Sequence, residues 1–344
     1  MTLYRTVKDK IASGEYKAGE KLPSKRVTAD RSGCSVITVE KAYNMLIDEG
    51  YIASMERSGY FVCELDIFPR DNRKIKTHAF SYLDEDVTTG EIRDFEYSIW
   101  FKTIRKVMAE KGDRLFIKSP GKGCGVLRNA IADYLLRYRG MVAEPERIII
   151  GSGSEQLYET VVKILGREKV FGIEDPSYAQ IEAVYRAEGA HIRKLKLGVD
   201  GIETTALRES GIDVLHVTPF RSYPTGVTTS ALKRYEYLKW AENGGHIVED
   251  DFNSEFFVPG QPIESLYSMD RGESVIYINT FSKSLSPSMR MGYMILPKNL
   301  MTVYDEKLGQ FSCSVPVLDQ YILAEFIASG NFERHLNRMR RKIK

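Results

Sequence analysis

The chain has few of the features that mark a metal protein, a disulfide-stabilised protein or a membrane protein. Its four cysteines, Cys34, Cys63, Cys124 and Cys313, are far apart in 344 residues and form no C-x-x-C pair. This spacing argues against a zinc site or a disulfide framework, and it fits a reducing cytosol. No apolar stretch approaches the roughly 20 residues that span a bilayer, and the N-terminus has no apolar signal core. We therefore expect a cytoplasmic protein with no metal and no membrane partner.

The chain also lacks an excess of either charge. It has 49 Lys and Arg against 47 Asp and Glu, for a net charge of +2, so any surface for nucleic acid must be local rather than global. A hydrophobic content of 43% and a charged content of 28% are ordinary for a soluble core. The length is sufficient for two or more domains.

The most informative segment is Thr280 to Arg290 (TFSKSLSPSMR). It follows an apolar run, Ser274 to Asn279, that is typical of a buried strand. The segment places one lysine, Lys283, among small hydroxyl residues, with an arginine seven positions later. This pattern suits pyridoxal 5′-phosphate, because a lysine amine forms a Schiff base with the aldehyde while hydroxyls and an arginine hold the phosphate. A surface loop with a solvated lysine and arginine is the alternative.

The first 65 residues are predicted to form a small domain of short helices followed by a hairpin. Leu3 to Ser13 has apolar residues at four-residue spacing, Ser24 opens a second helix, and Ser35 is the N-cap candidate of a third. Two strand-like runs follow, with a polar tip at Glu56 to Gly59. Two helices with a tight turn and a small hairpin are typical of a winged helix-turn-helix. A purely structural helical domain is the alternative.

The sequence motifs of this segment resemble those of the DNA-binding domain of the GntR family. The matching motifs are Gly19-Glu-Lys-Leu-Pro-Ser-Lys-Arg26, a Ser-x-x-Thr-Val run from Ser35, and Arg57-Ser-Gly-Tyr-Phe-Val62. The resemblance implies that double-stranded operator DNA is a partner. By resemblance, Ser24 and Arg26 lie near the DNA backbone. Ser35, Thr38 and Lys41 face the major groove or its phosphates, and Arg57, Ser58 and Gly59 form the wing. Val36 and Glu40 stand where many members have arginines, so guanine reading at those positions is not expected.

The rest of the chain alternates strand-like and helix-like runs, and polar residues follow each predicted strand. The strands Arg147–Gly151, Val170–Ile173, Asp213–Val217 and His246–Asp251 are followed or ended by a Gly-Ser turn, a tyrosine, a Pro-Thr-Gly loop and two acids. Open α/β sheets bind ligands at the carboxyl ends of their strands. A carboxylate facing the pyridine nitrogen, an aromatic stacked on the ring and a lysine for the imine are the groups that this cofactor needs.

The sequence motifs of this part, and their order along the chain, resemble those of the aminotransferase-like domain of the MocR subfamily of GntR regulators. The motifs include Glu174-Asp-Pro-x-Tyr178, Tyr223-Pro-Thr-Gly226 and Thr280-Phe-Ser-Lys283. By resemblance, Lys283 is the Schiff-base lysine, Asp250 the partner of the pyridine nitrogen and Tyr178 the stacking ring. The remaining cofactor-binding residues implied are Ser154, Glu155, Thr280, Ser282 and Arg290.

Several positions depart from that family. Phe252 stands where a tyrosine is usual, and Gln180 stands where a GABA-sensing relative has arginine. Phe220-Arg221-Ser222 replaces the usual Ser-His-Gln, so we expect an effector other than GABA, with Arg221 a candidate for an anionic group. The sequence also stops before the small C-terminal subdomain that family members carry, so this subdomain is expected to be missing or truncated and amino-group turnover is not expected.

The predicted organisation is therefore a winged helix-turn-helix (α+β) over residues 1–65, a linker over 66–89, and an α/β aminotransferase-like domain with a mostly parallel sheet over 90–344. The predicted function is a dimeric, cofactor-binding transcriptional regulator that responds to a small amine or amino acid. Two alternatives stay open: a working aminotransferase with an accessory DNA-binding module, and a sensor of the cofactor itself.

Overall fold

The computed structural model describes residues 2–55, 58–64, 95–256, 264–270 and 274–342. The chain divides into two compact units, Met1–Asp86 and Val87–Lys344. The linker predicted at residues 66–89 lies outside the described residues. Within the described residues, no helix has the length and apolar composition needed to cross a bilayer.

The N-terminal unit contains three helices, α1 (Thr2–Ala12), α2 (Lys25–Ser32) and α3 (Val36–Asp48). The two predicted N-caps are confirmed. The Ser24 hydroxyl accepts from the Val27 amide and the Ser35 hydroxyl from the Thr38 amide, which satisfies amide groups that a helix start leaves without partners. Gly33 ends α2 in the left-handed conformation (φ 66°), as a glycine at this position does readily.

A two-stranded antiparallel hairpin follows α3, formed by β1 (Ile52–Met55) and β2 (Gly59–Val62). Ile52 pairs with Val62 and Met55 with Gly59, so the register is fixed on both sides of the tip. One apolar cluster joins the helices to the hairpin, and its buried members are Val7, Ile11, Leu22, Ala29, Val39, Tyr43, Leu46, Ile52 and Val62. The predicted winged helix-turn-helix is confirmed.

The second unit is built on a seven-stranded sheet with the order β3-β9-β8-β7-β6-β4-β5. All neighbouring strands are parallel except the pairs that β9 makes with β3 and β8. The predicted mostly parallel sheet is thus confirmed. The strands are β3 (Ile148–Gly151), β4 (Val170–Asp175), β5 (His191–Lys196), β6 (Val214–Val217), β7 (His246–Asp250), β8 (Val275–Thr280) and β9 (Gly292–Ile295).

Both faces of the central strands are buried. In β8, Val275 and Tyr277 belong to one apolar cluster, and Ile276 and Ile278 belong to a second cluster on the other face. Such continuous apolar runs are typical of parallel strands covered by helices on both sides. The helices are α4 (Tyr97–Lys111), α5 (Gly125–Arg139), α6 (Ser154–Leu165), α7 (Ala179–Ala187), α8 (Thr204–Arg208), α9 (Ala231–Ala241), α10 (Leu266–Met269), α11 (Lys298–Leu308), α12 (Val317–Ala328) and α13 (Asn331–Lys342).

The central strands agree with the sequence prediction to within about two residues, whereas β5 and β9 had no predicted counterpart. Strand β5 lies at the edge of the sheet, and along it only Leu195 is buried. Its sequence, HIRKLK, therefore has too little apolar content to predict a strand. Strand β9 is only four residues long and directly follows the lysine segment. Its antiparallel direction depends on pairing with both β3 and β8.

A buried acidic group lies just beyond β7. Glu255 is 1% exposed, and its Oε1 accepts from Asn279 Nδ2 at 3.3 Å. Nearby, the Asp251 carboxylate is held by the Arg139 guanidinium at 3.0 Å and by the Tyr277 hydroxyl at 2.7 Å. Burial, and then the charge of Asp251, raise the pKa of Glu255 to about 8. The folded state thus favours the protonated form of this side chain.

Because the folded pKa of Glu255 is raised, its contribution to stability is complete below the unfolded value of 4.5 and is lost as pH rises through about 8. We expect the melting temperature to fall between pH 6 and pH 8.5. In Glu255→Gln the fall should be smaller by roughly 5 °C, since an amide cannot ionise. Calorimetric melting across this range checks the expectation. Glu242→Gln, at an exposed position after α9, is the control. If the melting temperature of Glu255→Gln falls with pH as steeply as that of the wild type, the prediction is wrong.

Candidate functional site

A cavity of about 270 Å³ opens at the carboxyl ends of the parallel strands. Strand β7 contributes Asp250, β8 contributes Thr280, and the segments that follow contribute Phe252, Ser282 and Lys283. The other lining residues are Ser154, Tyr158, Tyr178 and Tyr223. Residues predicted from five separate segments of the sequence therefore line one cavity, because parallel strands bring their carboxyl ends to the same edge of a sheet.

Asp250 is one of the residues that line this cavity. Its side chain is buried, and Oδ2 accepts a hydrogen bond from the Tyr158 hydroxyl. His216 Nε2 lies 3.8 Å from the same oxygen, and His216 Nδ1 pairs with the Tyr185 hydroxyl at 2.7 Å. The other oxygen, Oδ1, is buried and has no hydrogen-bond partner among the described residues. A buried carboxylate oxygen without a donor is costly, so this atom is suited to accept from a ligand.

Lys283 lies in the turn after β8, and its Nζ donates to Asn253 Oδ1. The ammonium also lies 4.9 Å from the centre of the Phe252 ring and 6.0 Å from that of Phe256. Burial, and then the positive charge of Arg221, lower the pKa of Lys283. A lowered pKa increases the fraction of neutral amine, which is the nucleophilic form.

Ser154, at the start of α6, lines the cavity, whereas the predicted site residues Glu155 and Arg290 are not among its lining residues. Gly153 has φ 96°, and a Cβ at this position would meet the Arg290 guanidinium at 3.3 Å. Arg290 Nη2 in turn forms an ion pair with Glu155 Oε2 at 2.7 Å. Free backbone amides at a helix start, a nearby arginine and hydroxyl side chains together suit a phosphate. The Glu155 carboxylate is paired with Arg290, so only the backbone amide of Glu155 can bind an anion.

The aromatic wall of the cavity consists of two partly exposed tyrosines. Tyr178 is 41% exposed and Tyr223 is 59% exposed. Their rings lie edge to face with centroids 6.0 Å apart. Tyr178 was the predicted stacking residue, whereas Tyr223 was named only within a loop motif.

Two residues of the site escaped the sequence analysis. Tyr158 lies one helical turn after Ser154, so the helical period of α6 could have placed it on the cavity side. His216 lies inside a buried strand, and no sequence signal distinguishes a histidine of this kind from one that simply fills the core.

The residues present fit pyridoxal 5′-phosphate. Asp250, whose Oδ1 is buried without a donor among the described residues, Lys283, whose pKa is lowered, and Ser154 at a helix start line the same cavity. They match the ring nitrogen, the aldehyde and the phosphate of that cofactor. Among the described residues, no cluster of His, Cys, Asp and Glu could hold a metal ion.

Six of the eight residues predicted to contact DNA are exposed on the surface of the N-terminal unit. Ser24, Arg26, Ser35, Thr38 and Lys41 are exposed, as is Ser58 at the hairpin. Gly59 begins β2 with φ 115°, and Arg57 lies outside the described residues. The hydroxyls of Ser35 and Thr38 are 2.9 Å apart, which fixes their orientation at the start of α3.

Glu40 on α3 forms an ion pair with Lys25 on α2. This contact partly cancels the negative charge that Glu40 brings to α3. Val36 is 42% exposed and Ile37 is 66% exposed. The exposed residues in the first turn of α3 are thus apolar or hydroxylic, and the cation Lys41 follows them. Exposed apolar groups on such a helix can contact thymine methyl groups.

The fold and the cavity define a winged helix-turn-helix joined to an aminotransferase-type domain, and comparison with known proteins agrees. Residues 1–62 match the model of the bacterial regulatory proteins of the gntR family, and residues 86–344 match aminotransferase class I and II. The chain therefore belongs to the MocR-type transcriptional regulators of the gntR family, as its sequence predicted. Pyridoxal 5′-phosphate is the cofactor of this aminotransferase fold, which confirms the predicted cofactor class.

Two relatives illustrate the match along the whole chain. An uncharacterised HTH-type transcriptional regulator of Bacillus subtilis, YdeL, is 35% identical, with 98% of this chain and 75% of YdeL covered. The probable rhizopine catabolism regulatory protein MocR of Rhizobium meliloti is 28% identical, with 98% of this chain and 73% of MocR covered.

Among solved structures, the α-aminoadipate aminotransferase LysN of Thermus thermophilus is 28% identical with a TM-score of 0.63. It was determined with N-(5′-phosphopyridoxyl)-L-leucine. The match covers 72% of this chain and 64% of LysN, so the chain spans about two thirds of the length of this enzyme.

Removing the hydroxyl of Tyr158 tests the support given to Asp250. We expect Tyr158→Phe to weaken binding of pyridoxal 5′-phosphate by about 10-fold, because a hydrogen bond to a buried charged group contributes roughly 1.5–3 kcal/mol. The dissociation constant from visible absorbance is the measurement. Tyr134→Phe is the matched control, since Tyr134 is equally buried but lies on α5 outside the cavity lining. Equal losses in both variants would contradict a role for the Tyr158–Asp250 contact.

Removing one cation tests the predicted contact of α3 with DNA. We expect Lys41→Ala to weaken binding to all duplex sequences alike and to reduce the slope of log affinity against log salt by about 1. Fluorescence anisotropy with labelled duplexes at several salt concentrations measures both quantities. Lys10→Ala is the control, because Lys10 lies on α1 and is paired with Glu15. An unaltered slope in Lys41→Ala would contradict a phosphate contact.

Proposed function

We propose that this chain is a regulator that binds operator DNA through its N-terminal unit and a small amine or amino acid in the cavity of its second unit. The ligand acts at cofactor bound beside Lys283 and Asp250. The observation that carries the proposal is that Asp250, whose buried Oδ1 has no donor among the described residues, lines the same cavity as Lys283. When bound, the cofactor supplies an aldehyde that condenses with primary amines and a pyridinium ring that accepts electron density.

Each lining residue has a stated part in this proposal. Asp250, supported by Tyr158, holds the proton of the ring nitrogen, and Tyr178 covers one face of the ring. Ser154, Thr280, Ser282, Arg290 and the amide of Glu155 hold the phosphate. Lys283 presents its amine to the aldehyde, and its lowered pKa favours the form that reacts.

We further propose that the protein acts in the cytoplasm as a homodimer, in which two DNA-binding units contact two half-sites. One such unit alone carries ten Lys and Arg against nine Asp and Glu over residues 1–65, so a single copy has little net attraction to phosphates. Pairing two units adds the contacts of both half-sites. A ligand alters DNA binding only if it prefers one arrangement of the dimer over another.

Turnover as an aminotransferase is the second candidate, and the lowered pKa of Lys283 favours it, because a neutral lysine can also transfer protons. The two candidates differ in what a keto acid does. Steady conversion of an amino acid plus a keto acid, abolished by Lys283→Ala, would establish the enzyme. Ligand-dependent DNA binding without product would establish the regulator.

The test of cofactor attachment is chemical. We expect borohydride treatment of the cofactor-loaded protein to attach a phosphopyridoxyl group to Lys283, because borohydride reduces a carbon–nitrogen double bond to a stable single bond. Mass spectrometry of the peptide that contains Lys283 reports the adduct. Lys283→Ala should lose both the adduct and the visible absorbance band, while Lys298→Ala, which changes the exposed first residue of α11, should keep them. An adduct on another lysine, or none, would contradict the proposal.

A further inference from the structure

The turn that carries Tyr223 is closed by hydrogen bonds of the Ser222 backbone. The Ser222 amide donates to the Val227 carbonyl at 2.8 Å, and the Ser222 carbonyl accepts from the Gly226 amide at 2.6 Å. The Thr225 hydroxyl donates to the same carbonyl at 3.2 Å. Both backbone polar groups of Ser222 are therefore used within the turn, which leaves its side chain to make contacts outside the turn.

The side chain of Ser222 connects this turn to the sheet through a buried carboxyl group. Its hydroxyl donates to Glu174 Oε2 at 2.5 Å, and the two residues are 1% and 3% exposed. Glu174 lies in β4, one residue before the strand ends. A buried carboxylate is costly without donors, so the folded state strongly favours its contact with Ser222.

This contact joins the two segments that carry the aromatic wall of the cavity. Tyr178 follows Glu174 by four residues, and Tyr223 follows Ser222 directly. Both rings line the cavity, edge to face with centroids 6.0 Å apart. Because Tyr223 is 59% exposed, packing of its own ring does little to fix its position. The buried contact of its chain neighbour holds its backbone instead.

The turn has one further anchor, which is weaker. Asn253 Nδ2 donates to the Arg221 carbonyl at 3.3 Å, in an exposed place. Exposed hydrogen bonds compete with water, whereas a buried bond to a charged group contributes more to stability. The short contact between Ser222 and Glu174 is therefore the stronger constraint on the turn.

We propose that Ser222 and Glu174 are positioning residues for the bound cofactor and that they act through Tyr223. Neither residue lines the cavity, so neither touches the cofactor itself. Their contact fixes the turn and thereby places the Tyr223 ring against the bound cofactor. This proposal rests on the proposed function, since it concerns the cavity in which that function places the cofactor.

The test is a double-mutant cycle on cofactor affinity. Pyridoxal 5′-phosphate is titrated into the full chain, and visible absorbance gives the dissociation constant. We expect a loss of about 5-fold in Ser222→Ala and of about 10-fold in Tyr223→Ala. The double variant should lose about 10-fold and not the roughly 50-fold of independent effects, because the contact has no ring left to position. A general loss of stability would not produce this dependence on Tyr223.

Two variants serve as controls. Ser210→Ala removes an equally buried hydroxyl, which donates to the Leu207 carbonyl at 2.6 Å away from the cavity lining, and should keep the wild-type affinity. Glu174→Gln keeps an acceptor for the Ser222 hydroxyl and should also bind the cofactor as the wild type does. Burial raises the pKa of Glu174 to about 7, so measurements at pH 8.5 keep the wild-type carboxylate ionised.

Four outcomes would overturn the assignment. These are an unchanged affinity in Ser222→Ala, an unchanged affinity in Tyr223→Ala, additive losses in the double variant, and a loss in Glu174→Gln as large as that in Ser222→Ala. The last would assign the effect to the charge of Glu174 and not to its contact. If Ser222→Ala does not fold, Ser222→Cys replaces it in the cycle, since a thiol is a much weaker donor of similar size.

Failure of the proposed function has a different signature. In that case the wild type itself would form no visible band with pyridoxal 5′-phosphate, or Lys283→Ala would keep the band. Failure of the positioning role alone leaves the wild-type band and its dependence on Lys283 intact.

Discussion

A carboxylate buried at the end of a central parallel strand is the interaction on which the site depends. Asp250 ends β7, and one of its oxygens is held by the Tyr158 hydroxyl, while the other has no donor among the residues that the structure describes. Removing a charged group from water is expensive unless it is paired. Tyr158, carried by α6, pairs with one oxygen of this carboxylate.

The sheet gathers the rest of the site around that carboxylate. Strands β6, β7 and β8 run parallel, and their apolar residues are buried on both faces. Several of their polar residues lie at or just beyond the carboxyl ends of the strands, where the chain leaves the apolar layers. The lysine segment, the loop that carries Arg221 and the aromatic wall thus reach one cavity from distant parts of the sequence.

The sequence predicted the fold and most of the site because their signals are local. Apolar runs predicted the strands β7 and β8, and serine N-caps predicted the starts of α2 and α3. The resemblance to family motifs predicted the roles of Lys283 and Asp250. The sequence did not predict β5, which lies at the sheet edge and has few apolar residues. It also did not predict contacts between residues far apart in the chain, such as Arg139 with Asp251 or Tyr158 with Asp250. Those contacts depend on how the layers pack, which the period of a single element does not encode.

The amide of Asn253 has a consequence for the chemistry of its neighbour. It bridges the amine of Lys283 and the carbonyl of Arg221 with one acceptor and one donor. An aspartate of the same shape would bring a fixed negative charge to the lysine and favour its protonated form. An uncharged bridge orients the amine while favouring its protonated form less than a carboxylate would. The loop thereby holds the nitrogen in position while leaving its lone pair accessible to an electrophile.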